Sequence, residues 1–222
     1  MKPTSQQLNN LKDYLRKELK FRESFEEIFD HILSALEHQP EDIDFQDAVN
    51  NIINQDFGGH NKLPDIEKRI ASSIADDCNK KFRNFFIEQL KTPVVFYYLP
   101  FGAAIYFVLN TLHLPPATIE GIVVAIAFCP SLLALFRNFK VGYAFGDRTG
   151  SARDKGFVFT AWFPVWLSGA LILWLPKLGA TFIFNVIWGG SGYIIPAIFI
   201  TLGVIYNVAI IKLYNDEFKF AK

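Results

Sequence analysis

Apolar positions in the first 90 residues recur every three or four places, and beyond them they merge into long unbroken runs. Leu8, Leu11, Leu15 and Leu19 form one stripe and predict a helix from Gln6 to about Lys20. Phe25, Ile28, Phe29, Ile32, Leu33 and Leu36 predict a second, with Ser24 and Glu27 spaced as a capping box and Pro40 after its end. Ala48, Val49, Ile52 and Ile53 predict a third, with Asp44 as its cap and Gly58-Gly59 closing it. Pro64-Asp65 opens a fourth, which carries Ile66, Ile70 and Ile74 and runs to about Leu90.

The pattern then changes. Val94–Leu112 and Phe157–Leu175 hold no charge, and Pro116–Phe136 holds only Glu120. Each is long enough to cross a hydrocarbon core of roughly 30 Å as a helix. Leu178–Ile211 is a longer charge-free run that the Gly189-Gly190-Ser191-Gly192 cluster divides. Tyr193–Ile211 is read as the fourth span, and Gly179–Trp188 as an interfacial or re-entrant stretch. Pro100, Pro130, Pro164 and Pro196 place one proline in each span, and neighbouring groups must then satisfy the carbonyl each one frees.

The expected fold class is therefore all-α. Residues 1–75 form a small acidic helical bundle, 76–92 an amphipathic connecting helix, and 93–222 a four-helix transmembrane region with spans near 94–112, 116–136, 157–175 and 193–211. Lys80, Lys81, Arg83 and Lys91, set among Phe82, Phe85 and Phe86, suit a connecting helix at a bilayer surface.

Charge refines this picture. Residues 1–92 hold 13 Lys and Arg against 17 Asp and Glu, a net of −4, and residues 93–222 hold 9 against 5, a net of +4. An acidic soluble part repels phosphate backbones, which argues against direct nucleic-acid binding. Basic residues cluster before the first span, in the central loop (Arg137, Lys140, Arg148, Arg153, Lys155) and in the tail, whereas the two opposite loops hold only Lys177. By the positive-inside rule both termini and the central loop face the cytoplasm, as in a bacterial inner-membrane protein. Cys78 and Cys129 fall in unlike segments, so no disulfide is expected.

Candidate chemistry is sparse. From Glu23 to Asp56 there are ten acidic residues and no Lys or Arg. Glu23, Glu26, Asp30 and Glu37 are the candidate partner-binding face. Glu27, His31 and His38 share a helix face, but a metal would need further ligands in fixed geometry, and no metal or cofactor is expected. His113 and Glu120 are the candidate intramembrane ionisable pair, because charge at depth is costly. No phosphate loop, nucleophile elbow or paired-cysteine motif appears, so the chain is read as non-enzymatic.

The sequence Asp30-His31-Ile32 with Glu37, then Asp44-Phe45-Gln46-Asp47-Ala48 and Phe57-Gly58, resembles the HAAS-type cytoplasmic helical domains associated with PadR-like regulators. It is similar too to uncharacterised membrane proteins of Bacteroidetes. The resemblance covers about residues 8–75. Asp44 stands where serine is common, and Gly58-Gly59-His60 replaces a Gly-x-Pro. It implies a signalling or regulatory role with the soluble domain as the interaction end, and it carries over no catalytic residue. The expected partners are the lipid bilayer and a cytoplasmic protein, the chain's own basic loop or further copies of the chain. The alternative is an oligomeric small transporter or channel subunit.

Overall fold

The computed structural model describes residues 2–40, 42–91, 93–141, 150–174 and 193–219. Among them the fold is all-α: eight helices form, no strand does, and one isolated bridge joins Phe21 to Gly150. The chain divides into two compact units, residues 1–77 with 142–156, and residues 78–141 with 157–222.

The first unit is built on α1 (Ser5–Glu18), α2 (Arg22–Glu37), α3 (Phe45–Asp56) and the first half of α4 (Leu63–Leu90). Their apolar stripes meet in one core, with Leu15, Ile32, Leu36, Ala48 and Ile53 fully buried. The turn from α3 to α4 uses Gly58 and Gly59 at φ 73° and 101°, where a side chain would be strained. Asp44 caps α3 by accepting the amide of Gln46 at 2.9 Å. The capping box, however, lies on α1, between Thr4 and Gln7, and not at Ser24. Helix α2 begins two residues before Ser24, with Phe21 at its cap, so the Ser24 side chain is buried inside the helix and its Oγ has no hydrogen-bond partner among the described residues. In place of a side-chain cap, the Glu67 carboxylate of α4 accepts the amides of Lys20 and Phe21 at 2.6 and 2.8 Å. A buried acid thereby fixes the α1–α2 turn.

Four helical stretches are long and apolar enough to cross a membrane: Val95–Leu112, Pro116–Val141, Ala152–Ile172 and Ile194–Phe218. These are α5, α6, the run from α7 (Ala152–Gly169) into a π-helical segment (Ala170–Trp174), and α8. The protein is thus a multi-pass membrane protein. Helices α6 and α8 extend past the expected ends of their apolar runs because Arg137, Lys140, Lys212 and Glu217 interrupt hydropathy without breaking a helix. The stretch Gly179–Trp188 lies outside the described residues.

Within the second unit α8 packs on α5 and α6. The part of α4 in this unit packs on spans. Phe82 and Phe85 pack against the cluster of Cys78, Ala134, Phe157, Ala161, Ile210 and Leu213. Lys81 meets Glu217 at 2.6 Å and Asp216 at 3.3 Å. The hydrogen bond to Glu217 holds the Lys81 ammonium above its usual pKa.

Pro130 and Pro164 sit inside α6 and α7. A proline has no amide, so each leaves the carbonyl four residues earlier without its helical donor. Those carbonyls belong to Ile126 and Thr160. Asn207 donates its side-chain amide to Ile126 O at 3.1 Å, and Tyr206 donates its hydroxyl to Thr160 O at 2.6 Å. Adjacent residues of α8 thus satisfy both proline defects.

Candidate functional site

The site with the most specific geometry lies in the first unit, where α2 meets the end of the central loop. Glu23 is half-buried near the start of α2. Ser151 stands just before α7 and accepts the Asp154 amide on its Oγ at 3.1 Å, which marks it as a helix cap. The Ser151 hydroxyl donates to Glu23 Oε1. Glu23 Oε2 accepts the Ala152 amide at 2.9 Å, and Oε1 accepts the Arg153 amide at 3.4 Å. The first three amides of α7 are therefore held by Glu23 and Ser151. The return contact is made by Arg22, whose amide donates to Gly150 O at 2.9 Å. Each helix start supplies what the other lacks.

The electrostatics agree with this geometry. A carboxylate at a helix N-terminus is favoured by the peptide dipoles as well as by the free amides. Burial alone would push the Glu23 carboxyl up. The hydrogen bonds from Ser151, Ala152 and Arg153, together with that of its own backbone, outweigh burial and hold it below the usual value. Lys155 adds its ammonium over the Phe21 ring, 5.6 Å from the centroid.

The structure separates the sequence-derived candidates. Glu23 is engaged with the loop, whereas Glu26, Asp30 and Glu37 are exposed. Glu26 pairs with Arg22 one turn away at 3.5 Å, on the surface. Of the five basic loop residues, Lys155 faces Phe21, and the Arg153 side chain is exposed while its amide binds Glu23. Arg137 lies 4.2 Å over the Phe218 ring, Lys140 is exposed, and Arg148 lies outside the described residues. The contact between acidic helix and basic loop thus runs through backbone amides and a serine hydroxyl.

His31 and His38 each have a partner within the first unit. His31 Nε2 meets Asp56 Oδ2 at 2.9 Å and sets its ring edge-on to Phe57, and His38 Nδ1 meets the Ser34 carbonyl. No group of three potential metal ligands forms among the described residues. His113 caps α5 in a left-handed conformation and is exposed, and Glu120 is half-buried in the second turn of α6. No hydrogen bond or ion pair joins those two among the described residues.

Sequence reasoning did not reach Ser151 or Glu67. Ser151 follows Gly150 and precedes a helical run with Asp154 three residues on, which is a cap signature. Glu67 offered no signal, since a carboxylate on a polar helix ordinarily faces solvent. Comparison with protein-family models, with characterised proteins and with solved structures finds no match.

Proposed function

We propose that this is a non-enzymatic regulatory protein of a bacterial inner membrane, whose acidic helical unit holds its own central loop and offers its remaining acidic face to a protein partner. The observation that carries this reading is the Glu23 clasp on Ser151, Ala152 and Arg153. It ties the loop before the third span to α2 through groups that an external ligand could compete for. It also supports a topology with the N-terminal helices and the central loop on one side of the bilayer, consistent with the basic residues of the loop and tail. The exposed Glu26, Asp30 and Glu37 leave a charged surface suited to steering a basic partner. The likeness to HAAS-type domains points the same way.

Transport by an oligomer is the weaker reading. A hydrophilic path needs polar groups converging near the midplane. A cavity among the spans is instead bordered mostly by phenylalanines, leucines and isoleucines, with Ser168, Tyr206 and Asn207 at its edge.

The test is crosslinking and mass spectrometry on the full chain purified from native membranes in mild detergent. A protein crosslinked to α2 or α3 is expected. The triple change Glu26→Gln, Asp30→Asn, Glu37→Gln should weaken its capture in a salt-sensitive way while the clasp persists, and Glu23→Gln should change capture by freeing the loop. Capture indifferent to both variants would sink the reading.

A further inference from the structure

A half-enclosed cavity of about 350 Å³ lies in the second unit, between the end of α4, α6, α7 and α8. That is the lower end of the roughly 300–1,000 Å³ range of small-molecule sites. Ala127 and Gly203 border it with little bulk, and Phe82, Phe86 and Phe163 supply aromatic walls. The polar residues at its edge have committed donors. Tyr206 donates to Thr160 O, Asn207 to the carbonyls of Ile126 and Gly203, and Ser168 to Val165 O. An occupant that needed donors or a counter-charge would lose its hydration without compensation there. The Asn207 bond also keeps the lining apolar, because it covers the carbonyl oxygen of Ile126, a lining residue, which would otherwise seek a polar partner.

The rim decides where an occupant comes from. Phe163, Leu167 and Leu202 border the cavity and are also 50%, 47% and 41% exposed. They run on into the outward face that carries Trp166, at 75% exposure. The opening is therefore continuous with the apolar surface that meets hydrocarbon. We propose that the cavity binds a single acyl chain of a bilayer lipid. An unfilled apolar cavity forfeits dispersion contacts along its whole lining, and such cavities stay dry. A chain drawn from the surrounding hydrocarbon restores those contacts without desolvating any polar group.

The test uses the full chain in phosphatidylethanolamine–phosphatidylglycerol vesicles doped with a phosphatidylcholine that carries a diazirine midway along one chain. After irradiation, adducts are mapped by peptide mass spectrometry. They should concentrate on Phe82, Ala127 and Leu202 above the level at the outward Phe107 and Trp166. Ala127→Phe fills the base and Leu202→Trp narrows the mouth. In each variant that elutes as a single species, cavity adducts should fall to the level at Phe107 and Trp166. Even labelling over all outward faces, or cavity adducts unchanged in both variants, overturns the proposal. Native mass spectrometry adds a second reading. One retained lipid per wild-type chain, lost in a variant, supports the site. A dimer retaining none identifies a second copy as the occupant and overturns it.

Discussion

Glu23 and Ser151 are 128 positions apart in the chain and share a hydrogen bond that closes the N-terminus of α7 onto the start of α2. A carboxylate held this way contributes stability only while it is ionised. Its folded pKa lies below the ordinary value of 4.5, so the contribution is fully present above about pH 4.5 and is lost as pH falls through the depressed value. The protection of the Ala152 and Arg153 amides against hydrogen exchange, taken relative to the intrinsic rate at each pH, should therefore fall on acidification below that range. In Glu23→Gln these amides should exchange faster at neutral pH and lose the acid step. An acid step that survives in the variant would assign the titration to another group.

Asn207 and Pro130 should be energetically coupled. Replacing Asn207 by Leu leaves the Ile126 carbonyl without a donor, at a cost of about 1–3 kcal/mol in thermal unfolding of the detergent-solubilised chain. In a Pro130→Ala background residue 130 regains an amide that can bond Ile126 O itself. The same Asn207 change should then cost clearly less. Equal costs in both backgrounds would mean that Asn207 acts through packing alone.

Gly203 lies where α8 packs closely against Ile126 of α6. A Cβ there would stand 2.7 Å from Ile126 Cγ2, a branched side chain with little freedom to withdraw. Gly203→Ala is expected to destabilise by about 1–3 kcal/mol. The loss should be largely recovered when Ile126 is shortened to Ala, as seen in the melting temperature of the double variant.

Ser24 points the other way. Its buried hydroxyl has no partner among the described residues, and such a group costs about 1–3 kcal/mol to leave unmade. Alanine removes the hydroxyl and is the better helix former. Ser24→Ala should raise the melting temperature, and a fall would reveal a role for the hydroxyl that the contacts around it do not contain.

Helix periodicity made the core of the first unit readable in advance. Leu11, Leu15, Ile28, Ile32, Leu36 and Ile53 all lie buried where their spacing places them. The four apolar runs were equally plain, since length and hydropathy alone define them. Ser24 misled because a serine followed by glutamate three residues on has the same spelling at a helix start and one turn inside it. What sets the true start of α2 is Glu67, 46 positions from Phe21, and no local window contains that pair. The clasp was legible only in outline. Opposite net charges suggested that the acidic helices and the basic loop attract, but Glu23 bonds to one serine hydroxyl and to amides, which every residue except proline carries and which composition cannot reveal. The same holds for the prolines. Their need for a donor followed from sequence, whereas the choice of Tyr206 and Asn207 required the packing of α8.

That choice fixes the axial setting of α8. Consecutive residues on an α-helix point about 100° apart, so one step of α8 addresses two different helices. Between Leu202 and Ile211 only Tyr206 and Asn207 carry a side-chain donor. Sliding α8 by one residue would bring Ile205 against the Thr160 oxygen or Val208 against the Ile126 oxygen. Sliding it by a full turn would leave both oxygens facing hydrocarbon. In a region where apolar surfaces match almost anywhere along their length, this two-residue word works as a key with a single seat.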